Sequence, residues 1–150
     1  MRTVFIFLIP INANFTGHNS LSTANKVYDE IQERYKQDLH HYFRFLYHII
    51  KFIKYSPIGE SEKYKYSSIL RATLSAYEIP LIFYNCLHEY GSSHFKPLVE
   101  EYSFLKNLDR DLIFSKEHMD EFDPLTFSPS SERKEKYKAW KKKNQKKGDN

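Results

Sequence analysis

The chain has 150 residues, 41% of them hydrophobic and 17% aromatic, with a formal net charge of +4, a length that suits one domain with a sizeable core and not two. Four glycines are few for the tight turns of an all-β protein, and a single cysteine excludes an internal disulfide framework and fits a reducing compartment. The positive charge is local: residues 131–150 carry nine Lys/Arg and three Asp/Glu, so the remaining 130 hold 14 basic and 16 acidic residues and offer no nucleic-acid footprint of their own.

Residues 1–19 form an apolar N-terminal segment. Its run from Val4 to Ile11, broken by Pro10, falls well short of the roughly 20 residues that span a bilayer. With Arg2 ahead of it the run weakly imitates a signal peptide, and it reads equally as a buried strand or a docking segment. No transmembrane helix is expected. The expected location is cytoplasmic, with membrane association through the basic tail as the alternative.

A helical domain is expected over 20–130. From Ser20 to Ile53 apolar residues recur at three- and four-residue steps: Leu39, Phe43, Leu46, Ile50 and Ile53. Ser20, Ser22 and Thr23 are candidate caps. Pro57 and Gly59 mark a loop at 55–62, and a second long helix is expected from about Glu62 to Tyr90, ending at Gly91. So short a loop makes the two helices antiparallel neighbours. Pro80 lies inside the second helix and predicts a kink by freeing the carbonyl of Ala76. Cys86 sits in an apolar run and reads as a buried structural thiol rather than a nucleophile. A third helix is expected from about Phe95 to Leu108, with Leu98, Tyr102 and Leu105 on one side. Residues 111–131 show no clear period and read as extended segments and short turns. The tail, 131–150, reads as solvated and disordered, with Lys138, Trp140, Lys141, Lys142 and Lys143 as candidate contacts to nucleic acid or an anionic membrane surface. The fold class is thus all-α: a small bundle on two long antiparallel helices and a shorter third.

Polar residues interrupt the helices in register. Arg71, Ser75, Glu78 and Asn85 return to one face of the second helix, and His41, Arg44, His48 and Lys51 form a similar line on the first. If the lines face each other, Arg44 or Arg71 would pair with Glu78, because an isolated buried charge costs several kcal/mol or more. The structural reading is a register-fixing or solvent-facing line. The functional reading is a polar cleft in which Arg44, His48, Arg71, Glu78 and Asn85 bind a phosphate and move a proton. A HEPN-type ribonuclease, an all-helical class marked by an arginine and a following histidine with four to six residues between them, is the leading enzymatic reading. Arg34 and His40 match that spacing, whereas Arg44 and His48 have only three residues between them. Glycine-rich phosphate loops, nucleophile elbows and HExxH motifs are missing. His40, His41 and His48 lack the carboxylate or cysteine spacing of a metal site, so neither metal nor cofactor is expected.

Three blocks carry a resemblance. Tyr42, Phe43, Arg44, Leu46, Tyr47 and Ile49 form the first. Leu70, Arg71, Ala72, Leu74, Ser75, Tyr77 and Glu78 form the second. Phe83, Tyr84 and Asn85, preceded by Ile82 where a leucine is expected, form the third. Together they resemble the phage abortive infection proteins, the AbiC-like group of bacterial defence proteins, over roughly residues 38–110. The resemblance implies an antiviral role in which the infected cell stops growing or dies before phage release. It supplies no catalytic residues. Longer members begin with two transmembrane helices, from which this sequence departs. The expected function is therefore an anti-phage effector acting through the polar line, with RNA as one target. The alternative is a non-enzymatic helical module that engages a phage or host protein through exposed aromatics such as Tyr64 and Tyr66.

Overall fold

The computed structural model describes residues 20–128. The expectations for the N-terminal segment and the basic tail lie outside the described residues. Within them the architecture is all-α: α1 (Leu21–Arg34), α2 (Lys36–Tyr55), α3 (Glu60–Ala72), α4 (Glu78–Leu87), the short α5 (Glu89–Ser92) and α6 (Lys96–Glu101) precede 3₁₀ turns at Arg110–Leu112, Lys116–Glu121 and Pro124–Phe127. No strand occurs among the described residues.

The first expected helix is two. Ser20 caps α1, its hydroxyl accepting the Thr23 N–H. The ladder then bends at Tyr35 (φ −122°, ψ 27°). The steps Ile31–Tyr35–Leu39–Phe43 are all fours, and each swings an apolar stripe by about 40° on a helix of 100° per residue. The interruption at Tyr35 takes up that rotation and keeps both segments on the core. The α2 stripe is as periodicity predicts: Leu39, Phe43, Leu46, Ile50 and Ile53 are its buried residues.

The second expected helix is also divided. It stops at Ala72, and the chain turns through Thr73–Tyr77 before α4 begins at Glu78. Proline is the reason. Inside a continuous helix the Pro80 ring would collide with the Ala76 carbonyl. In the first turn of a new helix it displaces no hydrogen bond. Ser75 and Glu78 close the restart reciprocally: the Glu78 carboxylate accepts the Ser75 N–H at 2.8 Å and the Ser75 hydroxyl accepts the Glu78 N–H at 3.3 Å, a capping box. Beyond it, Ile79 to Cys86 are buried without exception. A helix apolar on every side belongs in the middle of a domain, and α1, α5 and α6 pack on α4.

Its three consecutive residues Phe83, Tyr84 and Asn85 hold three different neighbours. Phe83 stacks on Phe122, with centroids 4.9 Å apart. The Tyr84 hydroxyl accepts the Phe114 N–H at 2.7 Å and lies 3.2 Å from His118 Nδ1. Asn85 donates to the Tyr28 hydroxyl of α1 at 2.8 Å. Gly91 does not end a long helix. It lets α5 pass so close to α4 that a Cβ there would overlap the Asn85 carbonyl. The third helix is shorter than expected, because Ser103 turns left-handed (φ 50°), yet Leu98, Tyr102 and Leu105 are all buried. The segment after it folds into 3₁₀ turns. Cys86 is fully buried, and burial pushes its thiol pKa up, which suits a structural thiol.

Candidate functional site

The five candidate residues do not converge. Arg71 is 5% exposed, and its guanidinium is committed inside the fold. One nitrogen donates to the backbone carbonyls of Tyr102 and Ser103 at 3.2 and 3.1 Å, and the other donates to the Ser68 hydroxyl at 3.1 Å. Those carbonyls lie where α6 ends, so a cation from α3 caps the C-terminus of α6. Burial alone lowers the Arg71 pKa. Glu78 serves the α4 cap and lies near Tyr42, whose hydroxyl has no well-formed hydrogen bond. Burial first, and the Glu78 charge second, push the Tyr42 pKa up. No ion pair joins Glu78 to Arg44 or Arg71 among the described residues. Asn85 belongs to a buried amide–phenol cluster with Tyr28 and Gln32, whose amide donates to the same hydroxyl at 2.6 Å. The line drawn through Arg71, Ser75, Glu78 and Asn85 assumed one helix. The break at 73–77 removes the common face.

The other line behaves differently. His41, Arg44, His48 and Lys51 are all exposed on α2, and Arg44 and His48 border a groove of about 460 Å³. One wall is α2, with His40, Arg44, Tyr47 and His48. The opposite wall comes from α5 and the turn after it, with Tyr90 and His94, and Phe43 and Phe95 form the floor. The floor rings meet edge-on with centroids 6.1 Å apart. His40 meets Tyr90 at 5.7 Å and Tyr47 meets His48 at 5.2 Å. Lys51 lies 5.4 Å above the Tyr47 ring, close enough for a cation–π contact. No carboxylate lines the groove.

Behind this wall, α5 is fixed by His88, which is 6% exposed. Its Nε2 lies 2.9 Å from an Asp29 oxygen and its Nδ1 accepts the Tyr90 N–H at 3.4 Å. Together these contacts place the imidazole proton on Nε2. Tyr90 is thereby oriented by His88 through both its backbone N–H and its ring, the two ring centroids lying 4.7 Å apart, and by His40 on the groove side. Periodicity had no means of finding His94 and Tyr90, because they lie on short elements outside the long helices. The one signal for them was their place on either side of Gly91, just ahead of the third helix and within reach of an antiparallel partner.

What the groove can do follows from its groups. Arginine is a fork that binds phosphate oxygens bidentately. Histidine is the side chain whose charge changes between pH 5 and 8, so it both takes and gives protons there. Exposed Tyr90 and half-buried Tyr47 border the groove with rings of the kind on which a nucleobase stacks. Among the described residues no group of three His, Cys, Asp or Glu side chains is placed to hold a metal ion.

The putAbiC family, described as "Putative phage abortive infection protein", matches residues 34–113. That span is 80 of the 150 residues, just over half the chain, and the chain belongs to this family. The match contains the three sequence blocks and every residue of the groove from His40 to Phe95. Comparison with curated proteins and with solved structures found no match. No helix among the described residues is long and apolar enough to cross a membrane.

Proposed function

We propose that the protein carries out its part in abortive infection by binding RNA in the α2–α5 groove and cleaving it. The observation that carries this reading is the groove itself, where one guanidinium and three imidazoles from opposite walls border an aromatic-lined space of about 460 Å³. In this mechanism Arg44 holds the phosphodiester and stabilises the charge that grows on its non-bridging oxygens. One imidazole takes the proton of the ribose 2′-hydroxyl as that oxygen attacks phosphorus. A second gives a proton to the departing 5′-oxygen. His48 on α2 and His94 on the facing wall are the pair assigned, with Tyr47 and Tyr90 stacking the flanking bases. The products are a 2′,3′-cyclic phosphate and a 5′-hydroxyl. This assignment replaces the site that joined Arg44 and His48 to Arg71, Glu78 and Asn85, whose side chains are engaged elsewhere in the fold.

The test uses single-stranded RNA and the full chain in buffer containing EDTA. Cleavage leaving cyclic phosphate ends is expected. Arg44→Ala and His94→Ala should each lower the rate by about 100-fold while the circular dichroism spectrum is unchanged. RNA left intact by the native chain, or cleaved equally by both variants, would sink the proposal. The same variants in infected cells connect the chemistry to defence, since loss of cleavage should abolish culture protection at low phage input.

A further inference from the structure

The hairpin of α2 and α3 exposes a second surface that the groove does not use. Phe45 and Phe52 are 60% and 75% exposed, and Tyr66 and Ile69 are 51% and 56% exposed. Phe45 and Phe52 are seven residues apart and share one face of α2. The loop at 56–59 turns the chain back, so the 45–52 stretch of α2 runs beside 63–70 of α3, where Tyr66 and Ile69 lie. Ile49 on α2 and Leu70 on α3 are half-buried. Tyr47, on the groove wall, points about 200° around α2 from Phe45. His48, on the near lip of the groove, lies three residues from Phe45 and four from Phe52, so the apolar face adjoins that lip while Tyr47 turns away from it.

We infer that this face is the two-fold interface of a homodimer. The four side chains, at about 200 Å² each when fully exposed, present about 450 Å² of apolar surface. A standard interface buries about 800 Å² per partner, a little over half of it apolar, so the face supplies one copy's share. The rim identifies the occupant. Exposed Asp38 lies seven residues before Phe45 on the same side of α2, and exposed Glu62 and Lys65 lie one turn before Tyr66 and Ile69 on α3. Carboxylates at the rim oppose an anionic bilayer or RNA. A rim of both signs complements itself when a two-fold axis lays α2 of one copy across α3 of the other.

Sedimentation velocity of the full chain across the micromolar range tests this. A concentration-dependent species of twice 18.0 kDa is expected, and Phe52→Asp with Ile69→Asp should raise the dimer dissociation constant at least tenfold. Phe52→Ser with Ile69→Ser is the milder pair and should shift the equilibrium in the same direction with an unchanged circular dichroism spectrum. Arg44→Ala should dimerise like the native chain, which separates this inference from the RNA reading. A chain that stays monomeric throughout overturns it, as does a dimer indifferent to both pairs. A monomer that floats with phosphatidylserine vesicles through this face overturns it too, and assigns the face to a bilayer.

Discussion

Arg71 shows how a residue with the chemistry of a binding site can be wholly structural. Its donors are spent on two carbonyls where α6 ends and on one hydroxyl of its own helix. Removing it leaves buried Tyr102 and Ser103 carbonyls without their cation, and each unsatisfied buried group costs about 1–3 kcal/mol. Arg71→Ala is therefore expected to destabilise the fold by about 3 kcal/mol in urea titrations. Arg71→Lys should cost less but still measurably, because an ammonium cannot reproduce the planar fork. Wild-type stability in Arg71→Ala would return the residue to the list of ligand-binding candidates. Sequence made the burial legible and not the purpose. An arginine in an apolar helix must find partners, and the nearest carboxylate, Glu78, was the natural guess. The true partners are backbone carbonyls 31 and 32 residues away, and nothing in a side-chain pattern advertises a carbonyl.

At the level of elements, periodicity located the apolar faces better than it located the ends. The α2 stripe and the buried run of α4 were readable, because a 3.6-residue repeat reports which side faces the core. The breaks at Tyr35 and at 73–77 were not, since a repeat survives a short interruption that preserves the face. Pro80 announced a disturbance, and whether a proline kinks a helix or restarts it depends on what satisfies the freed groups. Here the Ser75–Glu78 capping box satisfies two N–H donors that the restart leaves open. Ser75→Ala and Glu78→Ala are each expected to cost about 1 kcal/mol, far less than loss of Arg71, with hydrogen exchange quickened in the first turn of α4, whereas Glu78→Gln keeps a capping acceptor and should cost less. If Glu78→Gln instead removed defence activity with stability intact, the carboxylate would have a role beyond capping. The same helix-level reasoning explains the sequence blocks. Phe83, Tyr84 and Asn85 are diagnostic as a group because each fastens a different part of the chain to α4.

Across the whole molecule, the aromatic content places phenols in the interior, and that sets the alkaline limit of the fold. Tyr28 and Tyr84 are almost fully buried, and burial is the leading cause that raises their pKa values and that of Tyr42. An unfolded tyrosine titrates near pH 10. Below that value both states hold the proton and these groups add no pH dependence. Above it the unfolded chain releases protons that the folded chain keeps, so stability falls as pH rises. Each such group contributes about 1.4 kcal/mol per pH unit once its unfolded form is ionised, and three of them make the loss steep. Tyr42 isolates the effect best, because the one charged group acting on its phenol is Glu78, whose carboxylate adds to burial in opposing ionisation. Tyr42→Phe should leave stability near pH 8 almost unchanged and flatten the decline between pH 10 and 11 by about a third. Urea midpoints of the two proteins across that range check this. Parallel declines would mean that Tyr42 ionises as readily in the folded chain as in the unfolded one, and that the Glu78 side of α2 is open to water.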